Sequence, residues 1–258
     1  MTEIRAPTRG NRKLETLLQA ANADRRLHAW WYMQQVNADR RDMSDHSWVH
    51  IQIVVNIALR LFRLLSRAGV EPALVRDHGM KPRDAEVVIA AACLFHDTGM
   101  SIHRTDHEQY SLVLAADRLP GLLTAAYEEP ELTIVQAEVL QTIISHRSDG
   151  VPLSIEAGVV RVADALDMAS GRSRIPFETR RPNIHSISAA AIDEVVISEG
   201  EDRPVSVEIK MNNSAGVYQV DELLKSKLHG SGLEPYVEVV ARIENEAEKS
   251  LVPMYRLE

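Results

Sequence analysis

The sequence has a single cysteine, Cys93, so an intrachain disulfide is excluded. An excess of positive charge is also lacking, because 29 lysine and arginine residues stand against 37 aspartate and glutamate residues, a formal net charge of -8. Proteins that cover duplex nucleic acid need many cations to neutralise phosphates, so a broad nucleic-acid surface is not expected. With 45% apolar residues in 258, the composition is that of a globular protein with a full core.

Signals for export or membrane insertion are also absent. The opening residues, MTEIRAPTRGNRKLE, are polar and lack the apolar core of a signal peptide. We see no apolar stretch of about 18 residues that would indicate a membrane span. Cys93 lies in an apolar run and is expected to be a buried hydrophobic residue. We therefore expect a cytoplasmic protein with no membrane partner.

Hydrophobic periodicity predicts a helical domain over residues 1–182. Apolar residues recur at three- and four-residue spacing, and Ser44 or Asp45 is the predicted cap of a helix through HSWVHIQIVVNIALRLFRLL. A helix that is apolar nearly all round begins at Asp84 and is predicted to end at Gly99. Further helices are predicted over 106–118, 131–146 and 152–167.

After residue 182 the pattern changes. SISAAAIDEVVIS, PVSVEIKMN and PYVEVVARIE are typical of strands, and QVDELLKSKL is typical of an amphipathic helix. The order strand–strand–helix–strand predicts a small α+β unit over residues 183–258, so the fold class is mainly α with an α+β appendage. This unit could select substrate, bind a regulator or mediate dimerisation, and a homo-oligomer is therefore one expectation.

Histidine is the abundant reactive residue, with ten in total and seven between positions 46 and 146. The sharpest pattern is His96-Asp97 at the end of the buried helix, where a carboxylate needs a positive partner such as a divalent ion. Taken singly, each candidate is more often a core histidine or an ion-paired carboxylate. A helical bundle can nevertheless point ligands inward from several helices. Besides His96 and Asp97, the candidate ligands are His50, His107, His146 and Asp164. Together these six residues would suit one or two ions of Mn, Fe, Ni or Mg.

The ordered pattern His50…His96-Asp97…Asp164 resembles the HD superfamily of metal-dependent phosphohydrolases. The local settings HIQIVVNIALRL, ACLFHDTGM and VVRVADALD match as well, and the resemblance covers about residues 44–170. It implies an all-helical domain in which these four residues bind metal.

Members of this superfamily with two metals place further histidines between the pair and the last aspartate. His107 and His146 stand at such positions, so the resemblance favours a binuclear site over a mononuclear one. In a binuclear site Asp97 could bridge the two ions and would be a catalytic residue. The implied reaction is hydrolysis of a phosphomonoester or phosphodiester, expected to be a nucleotide, by metal-activated water.

Two departures from the family pattern matter. Many two-metal members follow the pair with Gly-Lys, but here Gly99-Met100 follows, so a lysine that contacts phosphate is missing at that place. No Gly-Tyr-Pro segment is present, so the cyclic-di-GMP phosphodiesterase subgroup is not indicated. The missing lysine leaves open an alternative: a non-catalytic module that senses a nucleotide on the same fold.

Arginines near the predicted ligands are the candidates for holding phosphate. Arg147 follows a predicted ligand directly and has a better case than Arg104. The segment SGRSRIP is either a phosphate clamp or a solvated turn, and it contains Arg172 and Arg174.

Three other polar residues have open roles. His103 is either a proton donor to the leaving group or a loop residue. Asp167, one helical turn after Asp164, either orients a ligand histidine as an acceptor or pairs with an arginine. His46 is expected to be exposed near a helix start.

Overall fold

The computed structural model describes residues 3–147, 149–169, 184–243 and 254–256. The predicted boundary at residue 182 lies outside these residues, as do Arg172 and Arg174. Within the described part, helices dominate as far as residue 169 and a small sheet follows. The predicted fold class, mainly α with a small α+β unit, is confirmed.

Eight helices build the first part of the described chain. Helix α5 is central, because every residue from Asp84 to Phe95 is buried and the helix packs against α1, α3, α7 and α8. This burial explains why its sequence is apolar nearly all round. The helices are α1 (Arg12–Ala23), α2 (Arg25–Asp39), α3 (Trp48–Arg67), α4 (Ala73–His78), α5 (Pro82–Phe95), α6 (His107–Leu123), α7 (Glu131–Ile144) and α8 (Ile155–Leu166).

Helix α3 begins later than predicted. Its N-cap is Ser47, whose Oγ accepts from the Val49 backbone N–H at 3.1 Å. Asp45 does not cap the helix, because its carboxylate accepts from the Ser47 N–H at 2.7 Å and closes the turn that precedes it. The expectation of an exposed His46 was also wrong. This residue is buried, and its backbone lies against α2, where Gln35 Oε1 accepts its N–H at 2.9 Å.

Helix α3 also corrects the statement that no membrane-length apolar stretch exists. By length and composition its 20 residues could cross a membrane. In the fold, however, 61% of its most apolar 18-residue window is buried inside the protein. Its apolar residues therefore form core contacts, and the helix carries His50 into the interior.

Helix α5 ends at Phe95, and Gly99 does not end it as predicted. His96 and Asp97 follow the last helical residue, and a short 3-10 helix covers Thr98–Ser101. Gly99 is required for a different reason: a Cβ there would lie 1.9 Å from the His107 carbonyl oxygen. Its N–H donates to Ser111 Oγ at 2.8 Å. The glycine thus lets the start of α6 approach the end of α5.

The C-terminal unit contains a sheet with strand order β1-β2-β3-β4. The central strands β2 and β3 are parallel. The outer strands are antiparallel to their neighbours, β1 to β2 and β4 to β3. The residues predicted as the start of the first strand form a helix instead, because the run ISAA lacks alternation. Strand β4 was not predicted. The elements are α9 (Ile184–Ala190), β1 (Ile192–Glu199), β2 (Val205–Met211), a π-helix (Gln219–Leu224), α10 (Lys225–Leu228), β3 (Val237–Ile243) and β4 (Met254–Arg256).

Arg161 fastens this unit to helix α8. Its buried guanidinium donates from Nε to the Lys227 carbonyl at 2.9 Å and from Nη2 to the Ser226 carbonyl at 3.1 Å. Gly158 allows the close approach, since a Cβ there would lie 2.2 Å from the Ser231 carbonyl oxygen. Helix α10 is therefore held against α8, one turn from Asp164.

Candidate metal centre

Three helices bring a first group of donors together: His50 from α3, His96 at the end of α5, and Asp164 from α8. His50 Nε2 lies 3.2 Å from His96 Nε2 and 3.3 Å from Asp164 Oδ1. His96 Nε2 lies 3.7 Å from the same carboxylate oxygen. The histidines are fully buried, and the three residues together could hold one metal ion.

A second group consists of Asp97, His107 and His146. His107 Nε2 lies 3.2 Å from His146 Nε2 and 3.1 Å from Asp97 Oδ1, and His146 Nε2 lies 3.8 Å from Asp97 Oδ1. All three are buried. These residues could hold a second ion. His107 reaches this place because α6 begins at that residue and packs closely over Gly99.

Asp97 lies between the two groups. Its Oδ1 faces the second group, while its Oδ2 lies 3.5 Å from His50 Nε2 and 3.5 Å from His96 Nε2. The adjacent His96 and Asp97 reach the same centre because they follow the last residue of α5, where the helical geometry relaxes. A carboxylate in this position can offer one oxygen to each of two ions.

The outer ring nitrogens of three histidines, His50, His96 and His146, contact acceptors. His96 Nδ1 contacts the Cys93 carbonyl at 2.9 Å, and His146 Nδ1 contacts the Ile143 carbonyl at 2.7 Å. His50 Nδ1 contacts Asp167 Oδ2 at 2.6 Å, the contact that the first of the two predicted roles of Asp167 requires, and its orienting of a metal ligand stays a prediction. When Nδ1 donates, Nε2 carries the free lone pair.

This arrangement fits a bound cation. Two Nε2 lone pairs at 3.2 Å repel each other unless a positive centre accepts them both. Histidine nitrogens and carboxylate oxygens are the ligands that divalent transition metals use in proteins. The donor set is therefore chemically compatible with a divalent metal in each group.

The ionisation states of the centre also favour a cation. Burial by itself would raise the pKa of Asp97, but the adjacent His96 and the other imidazoles hold that pKa well below its usual range. Burial lowers the pKa of His146 well below the ordinary histidine value, and nearby Lys227 lowers it further. At neutral pH the carboxylate is thus ionised and this imidazole is neutral, which are the forms that bind metal.

Lys227 is a member of the site that sequence reasoning missed. Its Nζ lies 2.6 Å from Asp164 Oδ2 and 2.8 Å from the His146 carbonyl oxygen. Burial would raise the pKa of Asp164, but Lys227 and then His50 lower that pKa well below its usual range. The only local signal was a lysine in KSKL, in a chain with few lysines, and nothing in that segment indicates a metal site.

Two of the four predicted phosphate-holding arginines, Arg104 and Arg147, lie beside the second group. Arg104 Nη1 lies 2.8 Å from His107 Nδ1, and the side chain of Arg147 pairs with Glu108 Oε1 at 3.0 Å while remaining 35% exposed. His103 is exposed, and its Nδ1 accepts from the Thr105 N–H at 3.1 Å, so the structure places it in the loop before α6. Its proposed proton transfer stays a prediction.

Comparison with known proteins agrees with this geometry. Residues 44–169 match the family model of the HD domain. The chain is also 37% identical over 236 residues to "Uncharacterized protein MJ1020" of Methanocaldococcus jannaschii, and the alignment covers 92% of this chain and 86% of that protein. The chain therefore belongs to the HD domain family, which is typical of metal-dependent hydrolases.

Proposed function

We propose that this protein is a metal-dependent phosphohydrolase that cleaves a phosphomonoester or phosphodiester of a small molecule, with a nucleotide as the expected substrate. One observation carries the proposal: Asp97 lies between two buried groups of donors, and each group has two histidine nitrogens. A bridged pair of cation sites is an arrangement suited to clamping the attacking and leaving oxygens of a phosphoryl transfer.

The chain's own residues would divide the work between the two groups. His50, His96 and Asp164 would hold one ion, and His107 and His146 the other, with Asp97 shared. Bound divalent ions supply polarisation of the phosphoryl group and activation of water. Lys227 supports the first group of donors because its Nζ contacts Asp164 Oδ2, so that Oδ1 stays turned toward the histidines.

The donor set favours Mn, Fe or Ni over Mg. Each group contains two imidazole nitrogens, whereas Mg²⁺ prefers oxygen ligands and keeps several waters. We therefore expect one or two transition-metal ions per chain.

Positive side chains at the rim would receive the phosphate. Arg147 and Arg104 are the described candidates, because both contact residues of the second group or its neighbour Glu108. Guanidinium groups bind phosphate oxygens in a bidentate fashion. A nucleotide substrate, assembly into a homo-oligomer and the participation of His103 belong to this proposal as expectations.

The test is a screen of phosphomonoesters, nucleotides and cyclic dinucleotides against Mn²⁺, Fe²⁺, Ni²⁺ and Mg²⁺. We expect turnover of at least one phosphate ester with a transition metal, and its loss in Asp97→Ala while the circular dichroism spectrum is retained. Turnover by metal-free protein would refute the mechanism. Nucleotide binding without turnover of any substrate would favour the alternative of a non-catalytic sensor.

A further inference from the structure

A cavity of about 240 Å³ lies where helix α3 ends and helix α5 begins. Arg63 and Arg67 contribute to its wall from the last turns of α3. Arg83 and Glu86 contribute from the first turns of α5, and Arg9 contributes from the N-terminal segment. The cavity is therefore formed by three separate parts of the chain.

This cavity is distinct from the candidate metal centre. Along α3, the rise of 1.5 Å per residue separates His50 from Arg63 by about 20 Å. Along α5, the same rise separates Glu86 from His96 by about 15 Å. The two core helices therefore have the metal centre at one end and the cavity at the other.

The cavity concentrates positive charge in an acidic protein. Four guanidinium groups and one carboxylate line it, a formal charge of +3 (four minus one), although the whole chain has a formal charge of -8. The carboxylate is already engaged, because Glu86 Oε1 accepts from Arg63 Nε at 2.6 Å and Glu86 Oε2 accepts from Asn11 Nδ2 at 2.8 Å.

The other arginines have weak partners or none of opposite charge. Arg67 pairs with Glu199 at 2.7 Å, but both side chains are more than half exposed, so this pair contributes little. Arg83 donates to the Gly10 carbonyl at 3.1 Å. Among the described residues, neither Arg83 nor Arg9 has a carboxylate within ion-pair distance.

Arg63 is the most buried of the four arginines, since its side chain is nine-tenths buried, whereas Arg67 is more than half exposed and Arg9 and Arg83 are exposed. Its Nε is already paired with Glu86. The cavity thus combines one buried guanidinium with three accessible ones. An oxyanion is the chemical class that answers this surplus of positive charge.

We propose that this cavity is a second binding site, for an oxyanion of the phosphate class. The beginning of α5 adds to the attraction, because Pro82 at its first turn lines the cavity and the positive end of the helix dipole lies there. The volume accommodates a phosphate or diphosphate group. The source is either free phosphate or the phosphate moiety of a metabolite, and binding there does not require the metal centre.

Isothermal titration of the full-length protein with inorganic phosphate, pyrophosphate and a nucleoside monophosphate tests this site. Chloride at matched ionic strength is the reference anion. The double variant Arg9→Glu/Arg83→Glu changes two exposed side chains, and we expect it to weaken phosphate-class binding at least tenfold. The matched control is Arg25→Glu, an exposed arginine that does not line the cavity, and it should bind as the wild type does.

A variant of the metal centre separates binding in the cavity from binding at the metal centre. Asp97→Ala removes the bridging carboxylate and with it the phosphate binding expected at the metal centre, so the binding event that remains in this variant should be that of the cavity. Tighter binding of the nucleoside monophosphate than of pyrophosphate would identify a metabolite as the source, and the reverse order would identify a free oxyanion. The proposal is overturned by absence of binding in Asp97→Ala, or by undiminished binding when Arg9→Glu/Arg83→Glu is added to Asp97→Ala.

Discussion

Lys227 Nζ lies 2.6 Å from Asp164 Oδ2, so a residue of the C-terminal unit is part of the candidate metal centre. The other oxygen of the same carboxylate, Oδ1, faces His50 Nε2 at 3.3 Å. The lysine thus fixes which oxygen is turned toward the histidines. Partners that orient a metal-binding carboxylate commonly change metal affinity by 10–100-fold when they are removed.

Lys227→Ala should therefore weaken metal binding by about tenfold or more. Chelator competition on the purified protein measures this affinity. Lys227→Arg retains a positive charge and should restore part of it. The matched control is Lys225→Ala, whose exposed side chain pairs with Asp221 at 3.3 Å and does not contact the centre. Equal affinities for Lys227→Ala and Lys225→Ala would contradict the positioning role.

Metal stoichiometry should follow the division into two groups. His107→Ala removes a donor from the second group alone, so we expect its metal content to fall from two ions per chain to one. Asp97→Ala removes the shared carboxylate and should reduce the occupancy of both groups. Elemental analysis of dialysed protein measures the content, with His78→Ala as the control because His78 pairs with Glu138 away from the centre. A single ion in the wild type, or two in His107→Ala, would exclude this division.

Gly99→Ala should damage the fold and the second group together. The new Cβ would collide with the His107 carbonyl oxygen, so the start of α6 must shift, at a cost of about 2 kcal/mol or more in the free energy of unfolding. Gly121→Ala is the control, since a Cβ there meets nothing within 4 Å, and alanine should stabilise that helix by up to about 1 kcal/mol. Urea unfolding and metal content measure both effects. Similar behaviour of the two variants would refute the proposed role of Gly99.

The stability of the metal-free protein should fall as the pH drops through 6.5. Burial lowers the pKa of His146 in the folded state, so below 6.5 the unfolded chain takes up a proton there that the folded protein does not. This linkage costs at most about 1.4 kcal/mol per pH unit for one group. Urea unfolding with chelator at pH 7.5, 6.5 and 5.5 should show a shallower pH dependence in His146→Gln than in wild type. Identical slopes would rule out this contribution.

The candidate centre could be predicted from the sequence because its residues carry local signals. His50 and Asp164 stand out as polar residues in apolar helices, and His96-Asp97 ends a helix that is buried on all sides. The structure brings all of these together with His107 and His146. That they bind metal stays a prediction, although the donor set is compatible with it.

Lys227 could not be predicted in the same way. It lies 63 residues after Asp164 in a polar segment, and its contact depends on how a separate unit packs against α8. Arg161, which makes that packing, looked like an ordinary helical arginine in the sequence. The cap at Ser47 was also missed, because Asp45 and Ser47 are both suitable cap residues by type. In the structure Ser47 caps α3, and Asp45 accepts from the Ser47 N–H instead.

The docking of α10 on α8 has a consequence for how the protein is made. A chain leaves the ribosome from its N-terminus, and the four histidines and two aspartates of the centre emerge well before Lys227 does. Until then Asp164 lacks the ammonium partner that orients it. Assembly of the candidate metal centre is thereby coupled to synthesis of the segment that carries Lys227, and a chain interrupted before that segment would carry the donors without the residue that orients Asp164.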